Sequence, residues 1–390
     1  MDLIFFQSHP IQYISPLLKA LAKKVDLSVY YFSDPAKSKE IDKGFGQKIV
    51  WDMPLLEGYE YKFINNWSGP RPINNKLFDV FNPGVLGILR KNKAKYVILN
   101  GWSYSSNWMI FLTAWMFGKK IWLRAENPLN QELQKKKSVL VLKKIFLKNF
   151  LFKFFIHKFL YIGSQNKAFY QYYGVRKEDR FIYTPYAVDN NYFNRFYLEY
   201  KDNKTALKVE LGLPEERKII LFSGKYIDKK RPLDLLKAFT MLPVNEYALV
   251  MVGEGELRGV METFVVDNKL ENVYLTGFIN QSEISKYYAI ADLFVMCSGM
   301  GETWGLSVNE AMNFALPIVV SDTCGCANDL VTNNKNGYIY QTGNIDDLKT
   351  GLVKFLEDEN YRLQAGLHSK AIIQQFSIDV ITENIKNNLN

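Results

Sequence analysis

The sequence predicts an α/β protein of two domains, each built on a parallel sheet. Short apolar runs alternate with helix-patterned stretches, and polar loops separate them. The chain has 390 residues, more than one hydrophobic core commonly serves, and 48% of them are hydrophobic. One complete strand–loop–helix–strand unit is legible. Residues 291–296 form an apolar strand, a helix begins near Leu306, and Pro317 ends it before Ile318-Val319-Val320. Its polar loop falls at the carboxyl end of the first strand, where open parallel sheets bind ligands.

In chain order, residues 3–6 give the first strand. The loop Gln7-Ser8-His9-Pro10-Ile11-Gln12-Tyr13 leads to a helix over 16–22, and a strand covers 27–32. Residues 33–73 are irregular, with Gly44, Gly46, Gly58, Gly69, Pro70 and Pro72, and suit a pocket-shaping loop. Strand 96–99 ends in Asn100-Gly101-Trp102 before a helix over 106–117, and strand 120–123 ends in Arg124-Ala125-Glu126-Asn127. Both polar ends fall at strand carboxyl ends, so Trp102, Arg124, Glu126 and Asn127 are candidate crevice residues. A helix cap with a local salt bridge is the plainer reading of 124–127. Strand 159–163 follows, Ser164 caps a helix over 165–173, and Gly174 ends it. Residues 181–183 make the last strand of this half, and the polar and aromatic residues 190–203 read as a linker.

The second half opens with a helix over 207–211 and a strand over 218–222. Ser223-Gly224-Lys225-Tyr226-Ile227-Asp228-Lys229-Lys230-Arg231-Pro232 then precedes a helix over 233–239. A glycine and several cations between a strand end and a helix make a phosphate site, with Lys225 and Lys230 as its carriers; a solvated basic turn is the alternative. Strand 248–252 ends in Gly253-Glu254-Gly255, and strand 273–275 ends in Gly277-Phe278-Ile279. A helix over 284–289 comes before the unit already described, and helices over 345–357, 360–374 and 378–388 finish the chain.

The loop and helix between residues 300 and 318 are the chemical centre. Glu302 and Glu310 stand eight positions apart, about 12 Å at helical rise. Between them Thr303-Trp304-Gly305-Leu306 opens a helix whose free N–H groups suit a phosphate. Carboxylates accept hydrogen bonds from hydroxyls, so one could hold a ribose and the other a sugar, with phosphates between. Two solvated glutamates near a helix end remain the plain alternative.

The net charge of +9 is concentrated. No Asp or Glu occurs from Leu133 to Arg176, while Lys135, Lys136, Lys137, Lys143, Lys144, Lys148, Lys153 and Lys158 interleave with Leu, Ile and Phe. The lysines break every apolar run short of a spanning helix. A basic helix over 135–158 either lies on an anionic membrane surface or packs one face into its own domain. No nucleic-acid motif accompanies it. Cys297, Cys324 and Cys326 give neither a disulfide framework nor zinc spacing, no Asp-x-Asp motif is present, and the first residues do not read as a signal peptide. A cytoplasmic protein is expected, peripheral on the inner face of the plasma membrane.

Glu302-x7-Glu310, the run Pro317-Ile318-Val319-Val320-Ser321-Asp322-Thr323-Cys324-Gly325, the turn Asn336-Gly337-Tyr338, the Gly224-Lys225…Lys230 loop and Pro185-Tyr186-Ala187-Val188-Asp189 together resemble glycosyltransferase family 4. That resemblance implies the GT-B fold, two Rossmann-like domains facing each other across a cleft. It assigns 1–195 to an acceptor domain, 204–376 to a nucleotide-sugar domain, and a last helix over 377–390 to the first. It implies a retaining hexosyl transfer from a nucleotide diphosphate sugar to a glycan or lipid-linked hydroxyl, in bacterial surface polysaccharide or lipopolysaccharide synthesis, with no metal or other cofactor. Donor residues would be Gly224, Lys225, Lys230, Gly277, Phe278, Ile279, Glu302, Thr303, Trp304, Gly305, Leu306 and Glu310. Lys225 stands where the family has Arg and loses the bidentate fork. His9, Gln12, Trp102, Arg124, Glu126 and Asn127 would meet the acceptor, with Glu126 beside Glu302, Lys230 and Lys225 in the chemistry. A nucleotide-sugar epimerase of the same fold and a non-catalytic nucleotide-binding membrane scaffold are the alternatives.

Overall fold

The computed structural model describes residues 2–34, 52–69, 76–243 and 245–389. Gly44, Gly46, Pro70 and Pro72 of the expected pocket loop lie outside them. The chain divides into two units, Met1–Glu40 with Pro54–Pro185 and Ile378–Asn390, and Ile41–Met53 with Tyr186–Ser377.

The first unit holds strands β1 (Asp2–Gln7), β2 (Asp26–Tyr31), β3 (Tyr61–Phe63), β4 (Tyr96–Asn100), β5 (Lys120–Arg124), β6 (Ile156–Tyr161) and β7 (Phe181–Tyr183). They form one sheet in the order β3-β2-β1-β4-β5-β6-β7, with every neighbouring pair parallel. The second unit holds β8 (Lys218–Ser223), β9 (Tyr247–Val252), β10 (Val273–Gly277), β11 (Leu293–Met296), β12 (Ile318–Ser321) and β13 (Gly337–Tyr340), in the parallel order β10-β9-β8-β11-β12-β13. Central strands such as β11 and β12 are buried along their whole length, which is why they read as unbroken apolar runs. Each large side chain buried this way contributes roughly 1.5–3 kcal/mol.

Four local expectations are corrected. Strand β3 lies inside the supposedly irregular stretch. Residues 190–203 are mostly the helix Asn190–Tyr200, capped by Asp189, whose side chain accepts from the Tyr192 N–H at 3.0 Å. Asn190 Nδ2 donates to the carbonyls of Ile373 and Phe376, so this helix belongs to the second unit and the division falls after Pro185. Ser164 is the first residue of its helix rather than the cap, a position Gly163 takes. The basic segment is not one helix. The α-helix Lys137–Phe146 runs into a π-helix, Leu147–Phe155, and β6 starts at Ile156. The buried residues Leu147, Leu151 and Phe152 are spaced four and five apart, which matches i→i+5 winding.

The last helix, Ile378–Lys386, belongs to the first unit. Glu383 pairs with Lys24 at 2.6 Å, and Asn384 Nδ2 donates to the Tyr183 carbonyl at 2.8 Å.

Candidate functional site

In the second sheet the strand order reverses between β8 and β11, so the loops leaving their carboxyl ends diverge and open a crevice. Those are the loops that carry Lys230 and Glu302. The Gly299 N–H donates to the Lys229 carbonyl at 2.8 Å, and Lys230 Nζ lies 2.5 Å from Glu302 Oε2. Lys229 Nζ is 3.6 Å from the same oxygen and donates to the Gly301 carbonyl at 3.1 Å. The turn Asp228–Lys230 ends on Arg231 in the left-handed region, φ 49°, and Pro232, with no N–H to lose, starts the next helix. Arg231 itself is held by Asp234 at 2.6 Å. Glu302 is only 8% exposed. Burial raises its pKa, but Lys230 and Lys229 outweigh burial and hold the carboxyl below its ordinary value.

Gly305 opens the helix Leu306–Asn313 with φ 106°, and a Cβ there would sit 3.0 Å from Cys324 Sγ. Its glycine is therefore demanded twice, by backbone and by space. The facing Gly325 is as constrained, since its Cβ would stand 1.9 Å from the Thr303 carbonyl oxygen. Gly325 N–H donates to the Glu302 carbonyl and Cys326 N–H to the Trp304 carbonyl, both at 3.1 Å. The turn Thr303-Trp304-Gly305 is thus clamped from behind, with the helix N–H groups of Leu306 and Ser307 following it. Trp304 is held differently from its neighbours in the turn. Its indole is 3% exposed, donates to Asn309 Oδ1 at 2.8 Å, and packs on Tyr186 and Phe376. Only its backbone is left for a ligand.

Glu310 lies one turn into that helix, half-buried. Tyr288 donates its hydroxyl to Glu310 Oε2 at 2.6 Å, and Ser223, beside Gly224, donates to Tyr288. Burial pushes the Glu310 carboxyl up to about 7, against the opposing pull of the Tyr288 hydrogen bond. Gly224 in turn neighbours the Lys230 stem, 3.8 Å from where a Cβ would stand. Hydrogen bonds and short contacts therefore link Glu310, Tyr288, Ser223, Gly224, Lys230 and Glu302 in one neighbourhood. Lys225 is half-buried in the same loop.

The loops after β9 and β10 stack on this one. A Cβ on Gly253 would fall 1.9 Å from the Gly224 carbonyl oxygen, and Gly253 N–H donates to the Gly277 carbonyl at 3.0 Å. Phe278 and Ile279 follow, half-buried. Glu254 and Arg258, an ion pair, stand within 3.6 Å of the space beside Gly277. Sequence reading missed Tyr288, because strand order and not spacing sets its partners Glu310 and Ser223, and it missed Arg258, although its i,i+4 spacing to Glu254 and Glu262 could have shown the ion pairs.

The first unit has its own reversal point, between β1 and β4. There Asn100 Nδ2 donates to Gln7 Oε1 across the two strand ends, and Asn107 Nδ2 holds the carbonyls of Asn100 and Gly101 at 3.0 and 2.8 Å. Asn100 Oδ1 is buried with no hydrogen-bond partner among the described residues. Neither Gln7 nor Asn100 was expected as a site residue, although both end apolar strands. His9 follows Gln7, half-buried and 3.1 Å from Ser8 Oγ; burial lowers its pKa and keeps the ring neutral. Gln12 is half-buried in the turn before the helix Ser15–Ala22. Arg124 is buried, 4.0 Å from the half-exposed Glu126. Asn166 Nδ2 pins the carbonyls of Ala125 and Asn127 at 2.7 and 3.0 Å. Trp102 packs sideways into the aromatic cluster, stacked 6.3 Å from Phe169 and edge-on to Phe152. Glu126 is in a different unit from Glu302, Lys225 and Lys230. Among the described residues no group of three His, Cys, Asp or Glu side chains is placed to hold a metal ion.

Comparison with known proteins fits this layout. The family model described as Glycosyl transferases group 1 matches residues 203–371. A sulfoquinovosyl transferase of Arabidopsis thaliana is 27% identical over 204 residues, 52% of this chain and 38% of that one. A poly(glycerol-phosphate) alpha-glucosyltransferase of Bacillus subtilis is 25% identical over 189 residues, 47% of this chain and 25% of its own length. The chain thus spans well under half of either relative. The crystal structure of Anabaena HepE in complex with UDP and glucose superposes with a TM-score of 0.72 at 16% identity, covering 100% of this chain and 99% of that one. The fold is α/β of the GT-B class.

Proposed function

We propose that the chain is a glycosyltransferase of family 4 type, moving a sugar with retention from a nucleotide diphosphate sugar to a hydroxyl of a glycan or lipid-linked acceptor. The observation that carries the reading is the Lys230–Glu302 pair at the reversal point, with Glu310 linked to it through Tyr288 and Ser223. Lys230, Lys225 and the N–H groups after Gly305 would meet the negative charge that builds on the leaving diphosphate. Glu302 would orient the sugar hydroxyls and Glu310 the ribose. In this mechanism the incoming hydroxyl attacks from the leaving-group face and the departing phosphate takes its proton, so no protein base is assigned. The glucose and UDP bound by HepE support a uridine diphosphate sugar as the donor class. A panel of nucleotide sugars scored by thermal shift tests the donor, since a true one stabilises the fold by mass action. Product anomers read by NMR test retention, and full activity in EDTA tests the metal-free proposal. Sugar interconversion with donor alone would replace this reading by the epimerase.

An anionic membrane surface is proposed as the second partner, in bacterial surface polysaccharide or lipopolysaccharide synthesis. Leu142 is 68% exposed and Trp115 63%, and Ile145, Phe150 and Phe154 are exposed near Lys144, Lys148 and Lys153. The helix Ser105–Met116 joins this face through Trp108 on Phe146 at 5.7 Å and Phe111 on Phe155 at 6.1 Å. Exposed apolar residues ringed by cations suit lipid headgroups. Lys143 does not serve this face, because it is bound to buried Glu132 at 2.7 Å. Among the described residues no helix is long and apolar enough to cross a membrane. Flotation with anionic liposomes tests the proposal; binding unchanged by K144Q/K148Q/K153Q would refute it. His9, Gln12, Trp102, Arg124, Glu126 and Asn127 are kept as acceptor candidates, and Gln7 and Asn100, at the β1–β4 reversal point, are added to them.

A further inference from the structure

A second polar site lies at the opposite, amino end of the β8–β13 sheet. Asp292 and Pro317, which precede β11 and β12, line a cavity of about 180 Å3 with Lys201, Lys204, Phe314 and Arg362. That is room for about six waters. Its walls are fixed by close contact. Helix Glu359–Ile373 meets the turn before β12 at Gly366, where a Cβ would stand 1.9 Å from the Ala315 carbonyl oxygen. Arg362, one helical turn earlier, shares that face.

The charges in the cavity are unbalanced. Asp292 is engaged by Lys204 Nζ at 2.7 Å and by the Ile219 N–H at 2.8 Å. Arg362 is 6% exposed, yet its ion pairs with Asp292 and Glu359 are 3.7 and 3.6 Å, beyond hydrogen-bond length. Its Nη1 is buried with no hydrogen-bond partner among the described residues. A guanidinium in that state lacks the acceptors its geometry calls for. Nearby, Lys370 lies 3.1 Å over the Tyr197 ring that lines the cavity, and its pKa falls to about 8 through burial and then the charge of Lys201. Lys201, Lys204, Arg362 and Lys370 stand around the cavity against Asp292, Glu359 and Asp202, the last 3.7 Å from Lys201, so cations outnumber carboxylates there.

We infer that this cavity binds a phosphoryl group, as free phosphate or as a phosphomonoester, with Arg362 supplying a fork of N–H donors and Lys201 closing over it. The site is separate from the loops that carry Lys230 and Glu302, and the inference does not depend on the reading of those loops.

The test is a titration by calorimetry and thermal shift with inorganic phosphate, against chloride at equal ionic strength. It is run in the Lys230→Ala background, so that the β8 loop does not contribute its main cation. Saturable binding is expected to persist there, to vanish in Arg362→Gln and to weaken about fivefold in Lys201→Gln. Lys201 is exposed, so its variant carries the test where Arg362→Gln yields no folded protein. Glycerol phosphate in place of phosphate separates the sources, and equal or tighter binding of the ester supports the phosphoryl group of a larger ligand. Phosphate binding that disappears with Lys230→Ala alone, or that neither cavity variant alters, overturns the inference.

Discussion

If Glu310 holds the ribose of the donor, a carboxyl group poised near neutrality makes donor binding depend on pH in a way that can be calculated. Glu310 titrates at about 7. A carboxylate that holds both ribose hydroxyls must be ionised, because only then do both oxygens accept. The binding-competent fraction is then about a tenth at pH 6, half at pH 7 and nine-tenths at pH 8. Nucleoside diphosphate affinity should rise about tenfold from pH 6 to pH 8. The terminal phosphate also titrates near pH 6, so the wild type must be compared with Glu310→Gln, which keeps the ligand's own titration and removes the residue's. That variant should bind roughly 10–100-fold more weakly at pH 8, the worth of a hydrogen bond to a charged group, and show only the shallow ligand slope. Tyr288→Phe removes the hydrogen bond that lowers this pKa, so its rise in affinity should begin at higher pH. The same gap, from an ordinary 4.5 to about 7, costs the folded state about 3 kcal/mol. The sign is that of a raised carboxyl. The free protein should lose stability as pH climbs from about 4.5 to 7 and hold level above that, a loss absent in Glu310→Gln. Calorimetric titrations at three pH values decide the matter. Equal slopes for wild type and Glu310→Gln would remove Glu310 from the donor site.

Other tests address the remaining parts. Lys230→Ala should lower kcat about 100-fold. Glu302, held below its ordinary pKa by Lys230 and Lys229, contributes stability above pH 4.5 that is lost on acidification, so this variant should be destabilised at pH 7 and the difference from wild type should shrink as the pH is lowered, as followed by urea melts. Gly325→Ala forces a methyl onto the Thr303 carbonyl and should cost about 3 kcal/mol, roughly a 10 °C fall in Tm for the second unit, with activity lost in proportion to the displaced turn. Lys143→Met leaves Glu132 with Lys135 and Tyr173 only and should destabilise the first unit by about 3 kcal/mol; an unchanged melt would mean the buried pair is neutral there.

How much of this could be read from the chain depends on how far each signal reaches along it. Strands β8, β11 and β12 were legible because both faces are buried and the apolar run is continuous. The helix Leu306–Asn313 was legible because Gly305 and Pro317 bracket it. The π-helix was not, since alternating Lys and Phe match an ordinary amphipathic helix nearly as well, and only the burial of Leu151 beside Phe152 separates the two. The helix Asn190–Tyr200 hid behind a polar, aromatic composition whose partners, Ile373, Phe376 and Asn313, lie more than a hundred residues away. The phosphate loop and both glutamates were visible as motifs. Their joining was legible only through the family resemblance, because strand order brings the loops after β8 and β11 side by side. The burial of the Trp304 indole was not legible either, because its partner Asn309 is on the inner face of the helix.

On the proposed reading, the ion pair joins the acid that would grip the sugar to the base that would grip the phosphate. With Lys230 already neutralised by Glu302, a stray sulfate or phosphate gains little there, since taking the cation strands a carboxylate. A complete donor would bring hydroxyls for the acid at the same moment it brought oxygens for the lysine, so both halves of the ion pair would be re-employed together. Fragments lacking either end would thereby be discouraged, and the crevice would discriminate in favour of the intact molecule before any bond is broken.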